Sequence, residues 1–169
     1  MPQEPQRITH TLEPIFDDAS RVLVLGTMPS PKSREVSMYY GNPQNRFWRV
    51  LAGLWGEETP ASNEERRELC LRRHVALWDV LASCTIKGAS DASIADPVPN
   101  DIARVLAVAP IRQVFCTGAT ATRLYRRLIE SELGVPCVGL PSTSPANARM
   151  RLDDLLAAYT CVREAAEGD

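Results

Sequence analysis

Four short apolar segments, separated by longer amphipathic stretches, constrain the fold of this chain more than any other feature. Each segment is rich in aliphatic and β-branched residues, and Gly or Pro bounds the first, the third and the fourth. A continuous apolar run of this length is typical of a strand that is buried on both faces of a sheet. The four predicted strands cover residues 22–25, 75–81, 114–116 and 137–140.

The stretches between these strands contain residues that typically begin or end helices. Asn63 precedes EERRELCLRR, Asn100 precedes DIARVLAVA, and Gly134 ends ATATRLYRRLIESEL. A final amphipathic helix is predicted within residues 145–166. Because strands alternate with helices, the pattern favours a parallel sheet covered on both faces. We therefore expect an α/β fold, a three-layer α/β/α sandwich with a central four-stranded parallel sheet.

The length and composition indicate one domain that is not embedded in a membrane. A chain of 169 residues buries roughly 70% of its unfolded surface when it folds. No apolar run approaches the roughly 20 residues that span a bilayer, and MPQEPQRITH lacks the apolar core of a signal peptide. We expect a mobile Pro- and Gln-rich tail at residues 1–12, a single domain at residues 13–169, and a cytoplasmic location.

The charge balance restricts how the chain could bind nucleic acid. Its formal net charge of −2 gives no overall attraction to DNA, so a DNA-binding surface would have to be local. Each basic group taken alone is more typical of a solvated face than of a phosphate site. The groups are Lys32 with Arg34, Arg46 with Arg49, Arg123 with Arg126 and Arg127, and Arg149 with Arg151.

The cysteines indicate a reduced protein without a metal cluster. They are odd in number and show no CxxC pair and no nearby histidine cluster, whereas an iron–sulfur cluster needs four grouped thiolates. We expect buried free thiols in apolar segments. The five are Cys70, Cys84, Cys116, Cys137 and Cys161.

The loop after the first predicted strand is a candidate ligand-binding loop, because ligands of open parallel sheets bind beyond the carboxyl ends of the strands. Asn42 and Pro43 predict a helix start, which places Asn45 in the first turn and lets Phe47 anchor the helix in the core. With the ring of Tyr40, this loop offers a stacking surface, an amide and the positive field of a helix N-terminus. Alternatively, Tyr40 packs in the core and Asn45 caps a neighbouring loop.

The loop after the fourth predicted strand, PSTSPANAR, carries a second set of polar groups. Hydroxyls and first-turn amides are common phosphate ligands, and Ser-Pro again marks a plausible helix start. The alternative is an ordinary capped loop. The groups are Ser142, Thr143, Ser144, Asn147 and Arg149.

Several segments together carry a family resemblance. GTMPS (26–30), KSRE (32–35), YYGNPQNRFW (39–48), IKGASDASI (86–94) and LPSTSPANA (140–148) resemble the uracil-DNA glycosylase superfamily. Within it, the chain is most similar to the hypoxanthine-DNA (deoxyinosine) glycosylase branch, called family six. The mismatch-specific uracil/thymine glycosylases are similar too, with GINPG, an aromatic residue and HPANRFW at the same spacing.

The resemblance implies a site for a base flipped out of DNA. Tyr40 would stack on the base, and Asn45, which matches the asparagine that carries catalysis in the hypoxanthine branch, would bond the base edge or the attacking water. The remaining base-binding candidates are Gly26, Thr27, Met28, Pro29 and Phe47. The DNA-binding candidates are Ser30, Lys32, Ser33, Arg34, Ser142, Thr143, Ser144, Asn147 and Arg149. The resemblance further implies a monomer that needs no metal or other cofactor.

Two positions depart from the superfamily pattern. Met28 occupies the place where most branches carry Asp, Asn or Glu to orient water, and Leu140 stands where many carry His or Asn. A thioether cannot accept a proton from water, so any hydrolysis of the glycosidic bond by this chain would have to proceed without an acid at residue 28. Two other carboxylates, Asp79 and Asp91, are more typical of turn capping or of support behind the site.

Three hypotheses follow from the resemblance and its departures. The first is a monofunctional DNA glycosylase that excises hypoxanthine and leaves an abasic site for base excision repair. The second is the same scaffold acting on uracil or on a G-mismatched pyrimidine. The third is a damaged-DNA-binding module without catalysis, which the methionine at position 28 supports. For residues 32–34, the alternative to DNA contact is a solvated surface loop.

Overall fold

A computed structural model describes residues 4–168 and contains the expected parallel sheet. Its strand order is β3-β2-β6-β7, and every neighbouring pair is parallel. All four predicted strands are confirmed, and the apolar residues of all but the last, an edge strand in which Val138 is 38% exposed, are buried within the covered sheet. The strands are β2 (Val22–Gly26), β3 (Val75–Asp79), β6 (Gln113–Thr117) and β7 (Cys137–Leu140).

Helices cover this sheet and complete the three-layer α/β/α sandwich. The last helix packs on the second helix and on β2, the third helix packs on β3, and the fifth packs on β6 and β7. Within residues 4–168, no helix is long and apolar enough to cross a membrane. The helices are α1 (Pro31–Val36), α2 (Phe47–Leu54), α3 (Asn63–Arg72), α4 (Ala103–Leu106), α5 (Ala119–Tyr125), α6 (Ser131–Leu133) and α7 (Leu152–Glu167).

A second, antiparallel sheet was not expected from the sequence. It has the order β1-β4-β5 and consists of β1 (Gln6–Thr9), β4 (Leu81–Ile86) and β5 (Ala95–Pro99). The chain leaves β3 through Val80 and continues directly into β4, so much of the stretch that follows the second predicted strand also belongs to a sheet.

The prediction of a mobile tail at residues 1–12 is wrong for residues 6–9. They form β1 because they pair with β4, and the guanidinium of Arg7 donates to Ser83 Oγ (3.0 Å) and to the carbonyl of Asp96 (2.6 Å). Residues 1–3 of that predicted tail lie outside the described residues.

Two helical segments differ from the predictions, one in its N-terminal cap and one in an internal π-helical turn. Ser62, not Asn63, caps α3 by accepting from the amide of Glu65. The helical segment after β6 ends at Gly134, as expected, but a π-helical turn (Arg126–Glu130) interrupts it. All five cysteines are free thiols, and all but the half-buried Cys161 are buried, which confirms the expectation for these four.

Candidate active site

A cavity of about 640 Å³ opens at the carboxyl edge of the parallel sheet. The first loop, the segment between β4 and β5, and the loop after β7 form its walls, and the ends of β2, β3 and β6 form its floor. The topology therefore unites the two polar loops predicted to hold a ligand. Every predicted site residue lines the cavity except Lys32, Phe47 and Arg149.

Three polar side chains meet around Gly26 on the cavity floor. Gly26 and Asp79 are register neighbours at the ends of β2 and β3. A Cβ atom at Gly26 would lie 2.7 Å from Asp79 Oδ1, 3.3 Å from the Tyr40 hydroxyl and 3.8 Å from Thr117 Oγ1. Tyr40 and Thr117 also share a hydrogen bond of 3.0 Å between their hydroxyl oxygens. Only glycine at position 26 leaves room for this cluster.

The ring of Tyr40 forms a rigid flat wall of the cavity. Phe47 stacks on one face of this ring, with centroids 3.9 Å apart and planes inclined by 18°. Phe47 is itself 1% exposed and rests edge-on against Trp48. Tyr40 adopts a left-handed backbone conformation, with φ of 53°, which the stacking and the bond to Thr117 hold in place. Phe47 therefore supports Tyr40 from behind and does not reach the cavity.

Asn45 lies ahead of α2 rather than inside it. The prediction of a helix start at Asn42 is wrong, because residues 42–44 form a bend and turn and α2 begins at Phe47. Asn45 Oδ1 accepts from the Phe47 amide (2.9 Å) and from the Thr143 hydroxyl (2.8 Å), which takes the place of a helix cap. A backbone N–H can only donate, so this bond also fixes which end of the amide is oxygen. Within residues 4–168, both hydrogen bonds of the side chain end on Oδ1, and Nδ2 remains as a donor for a ligand.

Arg46 ties the two polar loops together. Its guanidinium donates to the carbonyls of Ser144 (2.8 Å) and Asn147 (3.0 Å) and to that of Met150, and its backbone amide donates to the carbonyl of Thr143 (3.1 Å). The sequence placed this arginine in a solvated basic patch. No local signal identifies it as a clamp, because its acceptors lie about a hundred positions away along the chain.

The loop after β7 is held by its own polar groups. Ser142 Oγ accepts from the Ser144 amide (3.1 Å), Ser144 Oγ accepts from the Ala146 amide (3.2 Å), and Asn147 Nδ2 donates to the carbonyl of Ser142 (3.0 Å). Each serine oxygen accepts within the loop, so its O–H can still donate to an external oxygen such as a phosphate. Arg149 is exposed and lies outside the cavity.

The side chains of residues 32–34 in the first loop lie in three different environments, which are the protein interior, the surface and the cavity wall. Ser33 is 2% exposed, and its hydroxyl accepts from the Gly41 amide (2.9 Å) and from the Ser30 hydroxyl (3.1 Å), which argues against the predicted DNA contact. Lys32 pairs with Glu35 on the surface. Arg34 lines the cavity, and its buried Nε has no hydrogen-bond partner among residues 4–168.

Asp79 is the site residue that sequence reasoning missed. It is 4% exposed, lines the cavity, and its Oδ2 finds no hydrogen-bond partner in the described part of the chain. Burial raises the pKa of this carboxyl from its ordinary value of 3.8 to about 8. Capping is therefore not its role. The signal available in the sequence was a carboxylate inside the otherwise apolar run of residues 75–81.

The family model described as the uracil DNA glycosylase superfamily matches residues 13–163. The chain belongs to the uracil DNA glycosylase superfamily. Within this superfamily, it is 31% identical over 136 residues to the hypoxanthine DNA glycosylase of Methanosarcina acetivorans, which covers 80% of this chain and 85% of that protein. It is 30% identical over 137 residues to the hypoxanthine DNA glycosylase of Methanosarcina barkeri, across 80% of this chain and 86% of that protein.

A solved structure of the superfamily confirms the fold. The solution NMR structure of a candidate uracil DNA glycosylase from Methanosarcina acetivorans superimposes with a TM-score of 0.81 at 27% identity. The superposition covers 96% of this chain and all of the other. The cavity described above thus lies on a scaffold shared with a superfamily protein of known structure.

Proposed function

We propose that this protein is a monofunctional DNA glycosylase that flips hypoxanthine out of DNA and hydrolyses its bond to deoxyribose. The product is an abasic site, the substrate of the later steps of base excision repair. Membership of the superfamily supports an enzyme that hydrolyses N-glycosyl bonds in DNA. The names of the two Methanosarcina relatives support hypoxanthine as the base.

The observation that carries this proposal is that the Tyr40 ring, stacked on Phe47, and the oriented side-chain amide of Asn45 line the same cavity. The free face of Tyr40 offers a stacking surface, and such stacking contributes about 1–3 kcal/mol per base. Asn45 Nδ2 offers a donor at the same cavity, and donors stabilise the negative charge that accumulates on a departing base. The Ser142 and Ser144 hydroxyls at the rim can hold flanking phosphates.

The geometry also accounts for hydrolysis without an acid at Met28. Because both lone pairs of Asn45 Oδ1 are engaged by Phe47 and Thr143, this amide is poorly placed to accept from a water molecule. We therefore assign the catalytic contribution of Asn45 to its Nδ2, which donates to the leaving base. Cleavage of an N-glycosidic bond builds positive charge on the sugar and negative charge on the base, so oriented donors can lower the barrier without a strong general base.

The superfamily match supports uracil as a second candidate base, although only at the level of the family. Uracil shares the flat ring and the carbonyl beside an N–H that hypoxanthine presents. The two bases are distinguished by rates measured on otherwise identical duplexes.

An excision assay tests the proposal. Purified protein is incubated with end-labelled duplexes that contain deoxyinosine, deoxyuridine or a G·T pair, and abasic sites are cleaved with alkali. We expect strand scission fastest at deoxyinosine. Faster scission at deoxyuridine would replace hypoxanthine by uracil, and no scission on any duplex would refute the enzyme assignment.

The variant Asn45→Asp isolates the amide donor. An aspartate keeps the oxygen that accepts from Phe47 and Thr143 but removes Nδ2 and sets a negative charge against the departing base. We expect a single-turnover rate lower by about 10²–10³ with an unchanged melting temperature. Gln44→Ala, an exposed amide one position earlier, is the matched control and should retain the wild-type rate. Full activity of Asn45→Asp would remove Asn45 from catalysis.

A further inference from the structure

Asp79 presents a buried carboxyl to the cavity, and its Oδ2 has no hydrogen-bond partner within residues 4–168. A buried polar atom without a partner is costly, and such atoms are rare in folded proteins. Oδ2 of Asp79 is one of them, and it stands on the floor of the cavity that the proposed function assigns to the base. The missing partner is therefore expected to arrive with the ligand.

Within the described part of the chain, burial is the cause that shifts the pKa of Asp79, so its surroundings favour the neutral acid. Burial is the cause that raises its pKa to about 8, and it leaves the carboxyl predominantly protonated at neutral pH. Burial, together with the Asp79 carboxyl itself, also raises the pKa of Tyr39 and Tyr40, and burial raises that of Cys116, so these groups are neutral as well. Among the described residues that line the cavity or act on Tyr40, the titratable and charged groups beside Asp79 are Arg34, Tyr39, Tyr40, Asp91, Cys116 and Tyr159.

A neutral carboxyl offers a donor and an acceptor side by side. Hypoxanthine offers the complement on one edge, because its C6 carbonyl accepts and its adjacent N1–H donates. We propose that protonated Asp79 holds this lactam edge of the flipped base, donating to the C6 oxygen and accepting from N1–H. The proposal rests on the proposed function and adds the residue that contacts the base edge opposite the sugar.

The position of Asp79 fits this role better than that of a base acting on water. The Tyr40 hydroxyl and Asp79 Oδ1 both lie against Gly26, so a base stacked on the Tyr40 ring directs one edge toward the carboxyl. As the glycosidic bond breaks, negative charge spreads to the C6 oxygen, and the hydrogen bond from Asp79 strengthens. A protonated acid, by contrast, can neither take a proton from water nor stabilise a cationic sugar.

Two substitutions at Asp79 separate edge recognition from general-base action. Asp79→Asn retains a donor beside an acceptor, and Asp79→Leu has a similar shape but neither. Single-turnover excision is measured on duplexes with deoxyinosine and with the unsubstituted purine deoxynucleoside, which lacks the C6 oxygen and N1–H. Asp101→Asn, an exposed aspartate outside the cavity, is the control. Melting curves verify that each variant is folded.

We expect Asp79→Asn to excise hypoxanthine within about tenfold of the wild-type rate, whereas Asp79→Leu falls by about 10² or more. The wild-type preference for hypoxanthine over unsubstituted purine should persist in the first variant and vanish in the second. Equal loss in both variants would assign Asp79 to proton transfer and overturn the proposal. Full activity of Asp79→Leu would overturn it as well, whereas an inactive wild-type protein would refute the proposed function itself.

The pH dependence gives an independent readout. The ratio of the wild-type rate to the Asp79→Asn rate is measured from about pH 6 to about pH 9, so that ionisation of the substrate N1–H cancels. An ionised carboxylate cannot donate to the C6 oxygen, and its charge opposes that of the departing base. The ratio should therefore fall as the pH rises through the pKa of Asp79, which is about 8. A ratio that rises with pH, or stays constant, would overturn the proposal.

Discussion

Replacing Asp79 by asparagine should stabilise the protein, and the gain should grow with pH. In the folded state, burial raises the pKa of Asp79 to about 8, whereas the unfolded chain restores the ordinary value of 3.8. The folded state thus binds this proton more tightly than the unfolded state. Stability from this group is fully present below about pH 4 and is lost progressively as the pH rises to about 8.

The magnitude follows from the two pKa values. Each pH unit between them lowers the free energy of unfolding by about 1.4 kcal/mol, so the loss at pH 7 is on the order of 4 kcal/mol. The side-chain amide of the Asp79→Asn variant cannot be ionised, so the variant escapes this loss. The difference in unfolding free energy between variant and wild type should therefore rise by about 1.4 kcal/mol per pH unit from about pH 4 to about pH 8.

Urea unfolding followed by circular dichroism at several pH values measures this slope. Any fixed difference in packing between the acid and the amide shifts all points equally and leaves the slope unchanged. Asp101→Asn, which removes an exposed carboxylate, serves as the control. A flat or declining difference for Asp79→Asn would show that the carboxyl is not held neutral by the fold.

Two further sets of substitutions test the contacts of Arg46 and the stacking surface of Tyr40. Arg46→Lys keeps the charge but cannot reach the several carbonyls that the guanidinium binds. We therefore expect faster hydrogen exchange of residues 141–150 and a higher KM for DNA. Arg49→Lys, on the exposed face of α2, is the control and should change neither quantity. Tyr40→Phe loses only the hydrogen bond to Thr117 and should retain DNA affinity within about threefold. Tyr40→Leu also loses the stacking ring, so it should weaken binding of a flipped base by about 1–3 kcal/mol in fluorescence titrations. Equal affinities of the two variants would argue against stacking.

The strands of the parallel sheet were predictable because burial on both faces demands a continuous apolar run. The small antiparallel sheet was not, because β5 contains two prolines and β1 lies in a polar segment. These strands form through pairing with β4, which is a long-range contact that no local pattern records. The start of α2 was also misplaced: its N-cap residue is Arg46, and the amide of Phe47 donates to the Asn45 side chain rather than to Asn42.

The site was predicted in part because its motifs resemble those of a family, and the structure adds what spacing cannot give. Arg46 was assigned to a solvated face, and Asp79 to turn capping or to support behind the site. The solvated face and the turn cap are wrong, because segments distant in the chain bind the Arg46 guanidinium and bury the Asp79 side chain. Residues that break the usual rule for their type are where function is expected to concentrate.

The N-terminal strand β1 has a practical consequence for anyone who shortens this chain. Ile8 lines the cavity, and β1 covers the edge of β4 along residues 83–86. A version that starts after Thr9 would open one wall of the cavity to water and expose a row of unpaired backbone groups, a surface on which chains associate edge to edge. Trimming what the sequence suggests is a dispensable tail would thus cost both solubility and the dry environment that keeps the carboxyl at the floor neutral.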